Sequence, residues 1–189
     1  MAAGGGAGAG TSGDGDPADL FRAAYRTLAP QVRGYARRQL PEDLADDVVA
    51  ETFLVLWRRW DELDLPEDAV RPWVFGVARN KIRHAREQHG RATASLLRVA
   101  AMEPTRAAPA DPADELAGAD RTRELLGTLP PAEAEAMALT VWAGLSPSEA
   151  AQALGVSLTA LTSRLSRART RLAAVLEQRA GTDDERGER

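Results

Sequence analysis

Arg79, Asn80, Lys81, Arg83 and Arg86 place four cations and one amide within a single short run of the chain. Such groups do binding chemistry. Guanidinium and ammonium groups neutralise phosphates, and a carboxamide can both donate to and accept from the edge of a base. A second basic run holds Arg164, Arg167, Arg169 and Arg171, with no acid between Ser157 and Val175. A third run has the opposite sign and includes Asp46, Asp47 and Glu51. From Glu42 to Asp68 there are ten acids against two bases, and from Arg71 to Arg91 six bases against one acid. That alternation points to two kinds of partner, one basic and one anionic. A net charge of −4 argues against a simple basic coat on nucleic acid.

Catalytic equipment is not expected. The chain has no nucleophile-plus-base arrangement and no Gly-rich phosphate loop, and its Asp and Glu pairs sit on predicted exposed helix faces. His84 and His89 are five apart, too far round a helix to share a metal, and there is no Cys. Neither a cofactor nor a metal is expected. No apolar run is long enough to span a membrane. The N-terminus does not read as a secretion signal. A cytoplasmic location fits these readings.

Helices must position the charged runs. The basic run 79–86 lies on a predicted helix from Pro72 to about His89, with Trp73, Val74, Val77, Ala78, Ile82 and Ala85 as its apolar stripe. Asp46, Asp47 and Glu51 lie off the stripe Leu44, Val48, Val49, Phe53, Leu56, Trp57 and Trp60 of a helix over 41–63, where they form either a solvated face or a docking face. Leu20, Phe21, Ala24, Tyr25, Leu28, Val32, Tyr35, Ala36 and Leu40 have helical spacing, with Pro30 kinking or restarting that helix. The segment 61–71 reads as a loop, because Asp64, Pro66 and Asp68 break the pattern.

Ser146 to Gln178 reads as helix, turn, helix. Ser146, Pro147 and Glu149 make an S-x-x-E capping box with Pro in the first turn. Gly155 suits a left-handed exit, and Ser157 can cap the second helix, whose expected buried stripe is Leu158, Leu161, Leu165, Ala168 and Leu172. A basic second helix in such a unit is a DNA reader's geometry. Helices are also expected over 112–126 and from Pro131 to about Ala143.

The predicted fold is all-α, with two small helical domains at 17–91 and 112–180 joined by a flexible Ala/Pro-rich linker at 92–111. A disordered Gly/Ala-rich tail is expected at 1–16, and a frayed charged tail at 181–189.

These segments, in this order, resemble the bacterial sigma factors of the extracytoplasmic-function group. LADDVVAETFLVLWRRW resembles the helix that grips core polymerase. RPWVFGVARNKIRHAR, with its W-x-x-x-x-A-R-N, resembles the helix that meets the −10 element. LPPAEAEAMALTVWAGLSPSEAAQALGVS resembles the entry to the second domain, and TALTSRLSRARTRL resembles its recognition helix. The resemblance implies region 2 and region 4 domains. It implies a subunit that binds core RNA polymerase, through the β′ clamp helices and the β flap, and directs it to promoter DNA. An anti-sigma partner is a further candidate, since the group commonly works with one.

Residue by residue, the resemblance implies that Asp46, Asp47 and Glu51 face the polymerase. It implies that Asn80 reads a base of the −10 element while Arg79, Lys81, Arg83 and Arg86 neutralise phosphates, with Trp73 mainly packing. Segment 61–71 matches the loop that holds a flipped-out base. Thr162, Ser163, Ser166 and Arg167 match positions that face bases of the −35 element. Ser157, Thr159 and Arg164 match positions at the core edge or against phosphates. The pattern departs from the family at Ala50, where Gln is common, at Thr162, where Lys or Arg is common, and at Ser166, where His or a larger residue is common. The two latter changes shorten the reach into the groove. The loop LDLPEDAV is more acidic than usual and lacks the family Gly. The sequence leaves two other classes open: a stand-alone helix-turn-helix regulator and a protein–protein adaptor.

Overall fold

In the computed structural model of the chain, the described residues are 16–63, 66–100 and 122–187. Among them every regular element is helical. The expected tail before Asp16 and most of the expected linker and of the helix over 112–126 lie outside them.

Helix α1 (Pro17–Arg37) opens on Asp16, whose carboxylate accepts from the Ala18 amide at 3.1 Å, with Pro17 at the first helical position. Pro30 lies inside it without restarting it. Proline removes one ladder bond, but Leu28, Ala29 and Val32 are buried on either side and packing keeps the helix whole. Helix α2 (Glu42–Arg59) starts after Pro41, with Glu42 and Asp43 favouring the positive helix start, and runs into one 3-10 turn at Trp60–Glu62.

Helix α3 (Glu67–Ala100) is longer at both ends than its apolar pattern indicates. It begins before Pro72, because Pro66 with the acids Glu67 and Asp68 already forms a good helix start, and the Ala69 amide bonds the Pro66 carbonyl at 2.8 Å. It passes through Gly90, which adopts no left-handed conformation. Helices α1, α2 and α3 pack on one another around Val32, Tyr35, Val48, Phe53, Leu56, Val74, Phe75 and Ala78.

The second unit begins with a short helix α4 over 122–127. Helix α5 (Pro131–Met137) continues into a π turn at Ala138–Trp142, and the chain then turns through Gly144 at φ 63°. Helix α6 (Pro147–Leu154) carries the expected cap in full. The Glu149 amide bonds the Ser146 hydroxyl at 3.3 Å, and the Ser146 amide bonds the Glu149 carboxylate at 2.7 Å. Gly155 exits left-handed at φ 64°. The Ser157 hydroxyl accepts from the Ala160 amide at 3.1 Å at the start of α7 (Leu158–Gly187). Residues 181–187, expected to fray, continue α7 as helix.

The two units do not stand apart. Their buried side chains form one core, from Leu28 and Phe75 through Leu139 to Leu161 and Ala168. Helices α3 and α6 lie against each other so closely that a Cβ on Gly76 would sit 3.0 Å from the Ala153 carbonyl oxygen.

Candidate nucleic-acid interface

Helix periodicity separates the basic residues of α3 into two sets. Arg79, Arg83 and Arg86 recur at i, i+4 and i+7 and share one side. Asn80 joins them, its carboxamide oxygen accepting from Arg79 at 3.3 Å and from Arg83 at 3.5 Å. Arg83 and Arg86 line a cleft of about 380 Å³ between α3 and the second unit, alongside Tyr35, Ile82, Leu126 and Trp142. Burial pushes the Tyr35 phenol up to about 12, so this group stays neutral. Lys81 points elsewhere. Its Nζ lies 2.7 Å from Glu51 on α2, on the opposite flank of α3.

Arg79 is already engaged. Its guanidinium pairs with Glu135 of α5, and neither side chain is more than about a quarter exposed. Arg71, which no sequence pattern singled out, is engaged more extensively. Its Nη1 donates to Glu149 at 2.7 Å, its Nε to Gln31 on α1 at 3.2 Å, and its Nη2 to the carbonyls of Ala143 and Gly144 at 3.1 and 3.3 Å. The guanidinium also lies 5.6 Å from the Phe75 ring centre. Those two carbonyls close the α5 segment, where a cation is favoured by the helix dipole. Burial works against the Glu149 charge, but hydrogen bonds from Arg71 and Ser146 outweigh it and hold the carboxyl below its ordinary value.

On α7, Ser157, Thr159, Thr162, Ser163, Ser166 and Arg167 are exposed and Arg164 is half-buried, while Leu161, Leu165 and Ala168 are buried beneath. The outer face is therefore clear of its own domain. The Thr162 hydroxyl turns back to the Thr159 carbonyl at 3.0 Å. Arg167 and Arg171 both reach Glu133 of α5, at 3.4 and 3.1 Å, and this acid is almost fully buried. The Arg167 position is thus set from inside the domain.

On α2, Asp46 pairs with Arg33 at 3.0 Å and Glu51 with Lys81, while Asp47 is exposed. Leu54 and Trp57 follow on the same outer stripe, each about half exposed. Trp57 was expected in the core, as were Leu20, Tyr25 and, on α7, Leu158, and all four lie outside it. The apolar arc of α2 is wider than α1 and α3 together can cover. Phe21 meets Trp57 and Trp60 edge-on, with ring centres 4.9 and 5.5 Å apart, so the uncovered rings are still fixed in place. Leu54 was missed because a lone apolar residue off the stripe gives no periodic signal.

Two family models match the chain: Sigma-70 region 2 over residues 24–92 and Sigma-70 region 4 over residues 119–172. Together they cover both helical units. The chain belongs to the sigma-70 family. It is 32% identical over 156 residues to the RNA polymerase sigma factor NccH of Alcaligenes xylosoxydans xylosoxydans, covering 80% of this chain and 82% of that protein. It is 34% identical over 161 residues to the RNA polymerase sigma factor CnrH of Cupriavidus metallidurans, covering 79% and 81%. Among solved structures, CnrH in complex with the cytosolic domain of CnrY superposes with a TM-score of 0.64 at 27% identity, over 88% of this chain and 92% of that one. The sigma factor RpoE of Bartonella quintana, in complex with the anti-sigma factor NepR, shares the fold, with a TM-score of 0.61 at 24% identity over 84% and 98%.

Sigma factors are non-enzymatic initiation factors, and this chain is an extracytoplasmic-function-type sigma factor directing RNA polymerase to promoters. No helix among the described residues is long and apolar enough to cross a membrane.

Proposed function

We propose a division of labour within this sigma factor. The outer stripe of α2 docks on core polymerase, α3 meets the −10 element through Arg79, Asn80, Arg83 and Arg86, and the outer face of α7 enters the major groove of the −35 element. The observation that carries the reading is the match of region 2 and region 4 to two units whose charged faces alternate in sign.

Asp46, Asp47 and Glu51 supply negative potential for a basic coiled coil, and exposed Leu54 and Trp57 continue that stripe with apolar area. Lys81 belongs to the α2 flank in this arrangement and reaches phosphate only by leaving Glu51. At the −35 element, Thr162, Ser163, Ser166 and Arg167 face bases, with Ser157, Thr159 and Arg164 toward phosphates. Segment 61–71, expected as a loop but described at its two ends as a 3-10 turn and the first turn of α3, is the base-holding segment. The protein works in the cytoplasm, where polymerase and promoters are. An anti-sigma protein is a further partner, of the kind that NepR is for the Bartonella quintana sigma factor.

The test is reconstituted initiation. Purified core polymerase should start transcripts at a cognate promoter only when this protein is added. Transcription unchanged by the addition, across a library of candidate promoters, would overturn the reading.

A further inference from the structure

Glu133 is the third residue of α5, in the turn where the helix dipole favours negative charge. Its side chain is only 7% exposed, yet two guanidiniums of α7 reach it. Arg167 and Arg171 stand four residues apart, on one side of that helix. In both, the nitrogen nearest the carboxylate is Nε, at 3.4 Å from Oε1 for Arg167 and 3.1 Å from Oε2 for Arg171. Glu133 Oε2 has no hydrogen-bond partner, so its pairing with Arg171 rests on charge.

Pairing through Nε leaves the two terminal nitrogens of each guanidinium farther from the acid, and both arginine side chains are more than half exposed. Those two nitrogens make the fork that matches O6 and N7 of a guanine in the major groove. Among the residues placed against −35 bases, Thr162, Ser163 and Ser166 carry short hydroxyl side chains, and the Thr162 hydroxyl is turned back onto the Thr159 carbonyl. Arg167 alone among them has both reach and charge. Arg171 lies one turn farther from the helix start that enters the groove, where a phosphate is the nearer partner.

We infer that Glu133 is a positioning residue for promoter specificity: by holding Arg167 through Nε it aims the terminal fork at a guanine of the −35 element, and it sets Arg171 against the neighbouring phosphate backbone. The inference rests on the proposed entry of α7 into the −35 groove, and adds the base that is read and the residue that aims the reader. The gain is preorganisation. An unheld arginine side chain populates many rotamers and gives them up on binding. The cost is electrostatic, because a carboxylate beside two cations weakens their attraction to phosphate. Glu133 therefore lowers affinity for DNA of any sequence and raises discrimination at one base pair.

Selectivity and affinity separate the two effects. Holoenzyme assembled from core polymerase and this chain is bound to a promoter library randomised across the −35 element, and the retained sequences are counted. Wild type should favour guanine at one position by about tenfold. Glu133→Gln keeps the shape of the side chain, and the arginines it releases are exposed and can hydrate, so the variant should fold. It should cut that preference to about threefold or less, with the other −35 positions unchanged. Affinity of the free chain for a mixed-sequence duplex should rise by about twofold. Arg167→Ala should erase the same guanine preference.

A guanine preference left intact in Glu133→Gln would overturn the proposal. So would an equal loss at every −35 position, which would give Glu133 a purely structural role. Arg167→Lys tests the aiming without touching the buried acid. Its single ammonium sits on Glu133 or in the groove but not both, so the preference should fall as far as in Arg167→Ala. An undiminished preference in that variant would sink the idea. A wild-type holoenzyme indifferent to every −35 position would overturn the placement of α7 together with the inference, whereas the other adverse outcomes overturn the inference alone.

Discussion

Single residues here show how far burial alone dictates chemistry. Thr52 on α2 is fully buried, and its hydroxyl finds no hydrogen-bond partner. A buried unmet hydroxyl costs on the order of 1–3 kcal/mol. Thr52→Val keeps the shape and removes the polar atom, so it should raise unfolding stability by about 1 kcal/mol, read as a higher midpoint in urea. A lower midpoint would show that the hydroxyl has a partner in solution. Glu133 is a different case, since one of its buried carboxylate oxygens also has no hydrogen-bond partner but its charge is paired. It is buried, yet it keeps Arg167 and Arg171 of α7 beside it, so its charge is paired and those two side chains are held in place as a by-product.

At the scale of the element, α2 packs on one side and carries the proposed docking stripe on the other. Val48, Val49, Phe53 and Leu56 bind it to the core, and the stripe Asp47, Leu54 and Trp57 faces out. Since Trp57 is about half exposed, its removal should cost little folding stability. Its loss from a docking surface should cost about 2 kcal/mol, or roughly thirtyfold in affinity. Trp57→Ser together with Asp47→Lys should therefore weaken capture of core polymerase while leaving the melting temperature within a few degrees of wild type. Undiminished capture would remove this stripe from the interface. Helix α3 teaches a related point. Its Arg79 side and its Lys81 side serve different neighbours, although the residues are two apart, because a helix turns about 100° per residue.

For the whole molecule, the contact between the two units is in part electrostatic, through Arg71 and Glu149, and so has a definite pH dependence. The Glu149 carboxyl titrates below its ordinary value of 4.5 in the folded chain. Its native interactions are therefore fully present above that value and are lost as the pH falls through the lower, folded value. Stability referenced to Glu149→Gln should accordingly be greatest near neutral pH and shrink as the pH falls below the ordinary carboxylate value of 4.5. An advantage that grew on acidification would contradict the assignment of Arg71 as the partner that holds the carboxylate ionised.

Much of this protein is written in local pattern. The capping box at Ser146 and Glu149, the left-handed Gly155 and the cap at Ser157 depend on residues within a few positions of one another, and each formed as its spacing required. The buried stripe Leu161, Leu165 and Ala168 is equally local. Charge runs are composition and needed no fold to be seen. What needed the tertiary structure is whatever depends on which helix meets which. Periodicity marks an apolar arc but not how much of it a neighbour will cover, so Trp57, Leu20 and Tyr25 could not be told from core residues. Helix ends at Pro72 and Gly90 were misplaced because packing and an earlier start signal outweighed the local breakers. Arg71, Arg79, Glu135 and Glu149 lie dozens of positions apart, and no periodicity joins them. Only the packing of α6 on α3 brings those charges within hydrogen-bonding distance, and that contact made two domains, legible separately, into one closed molecule.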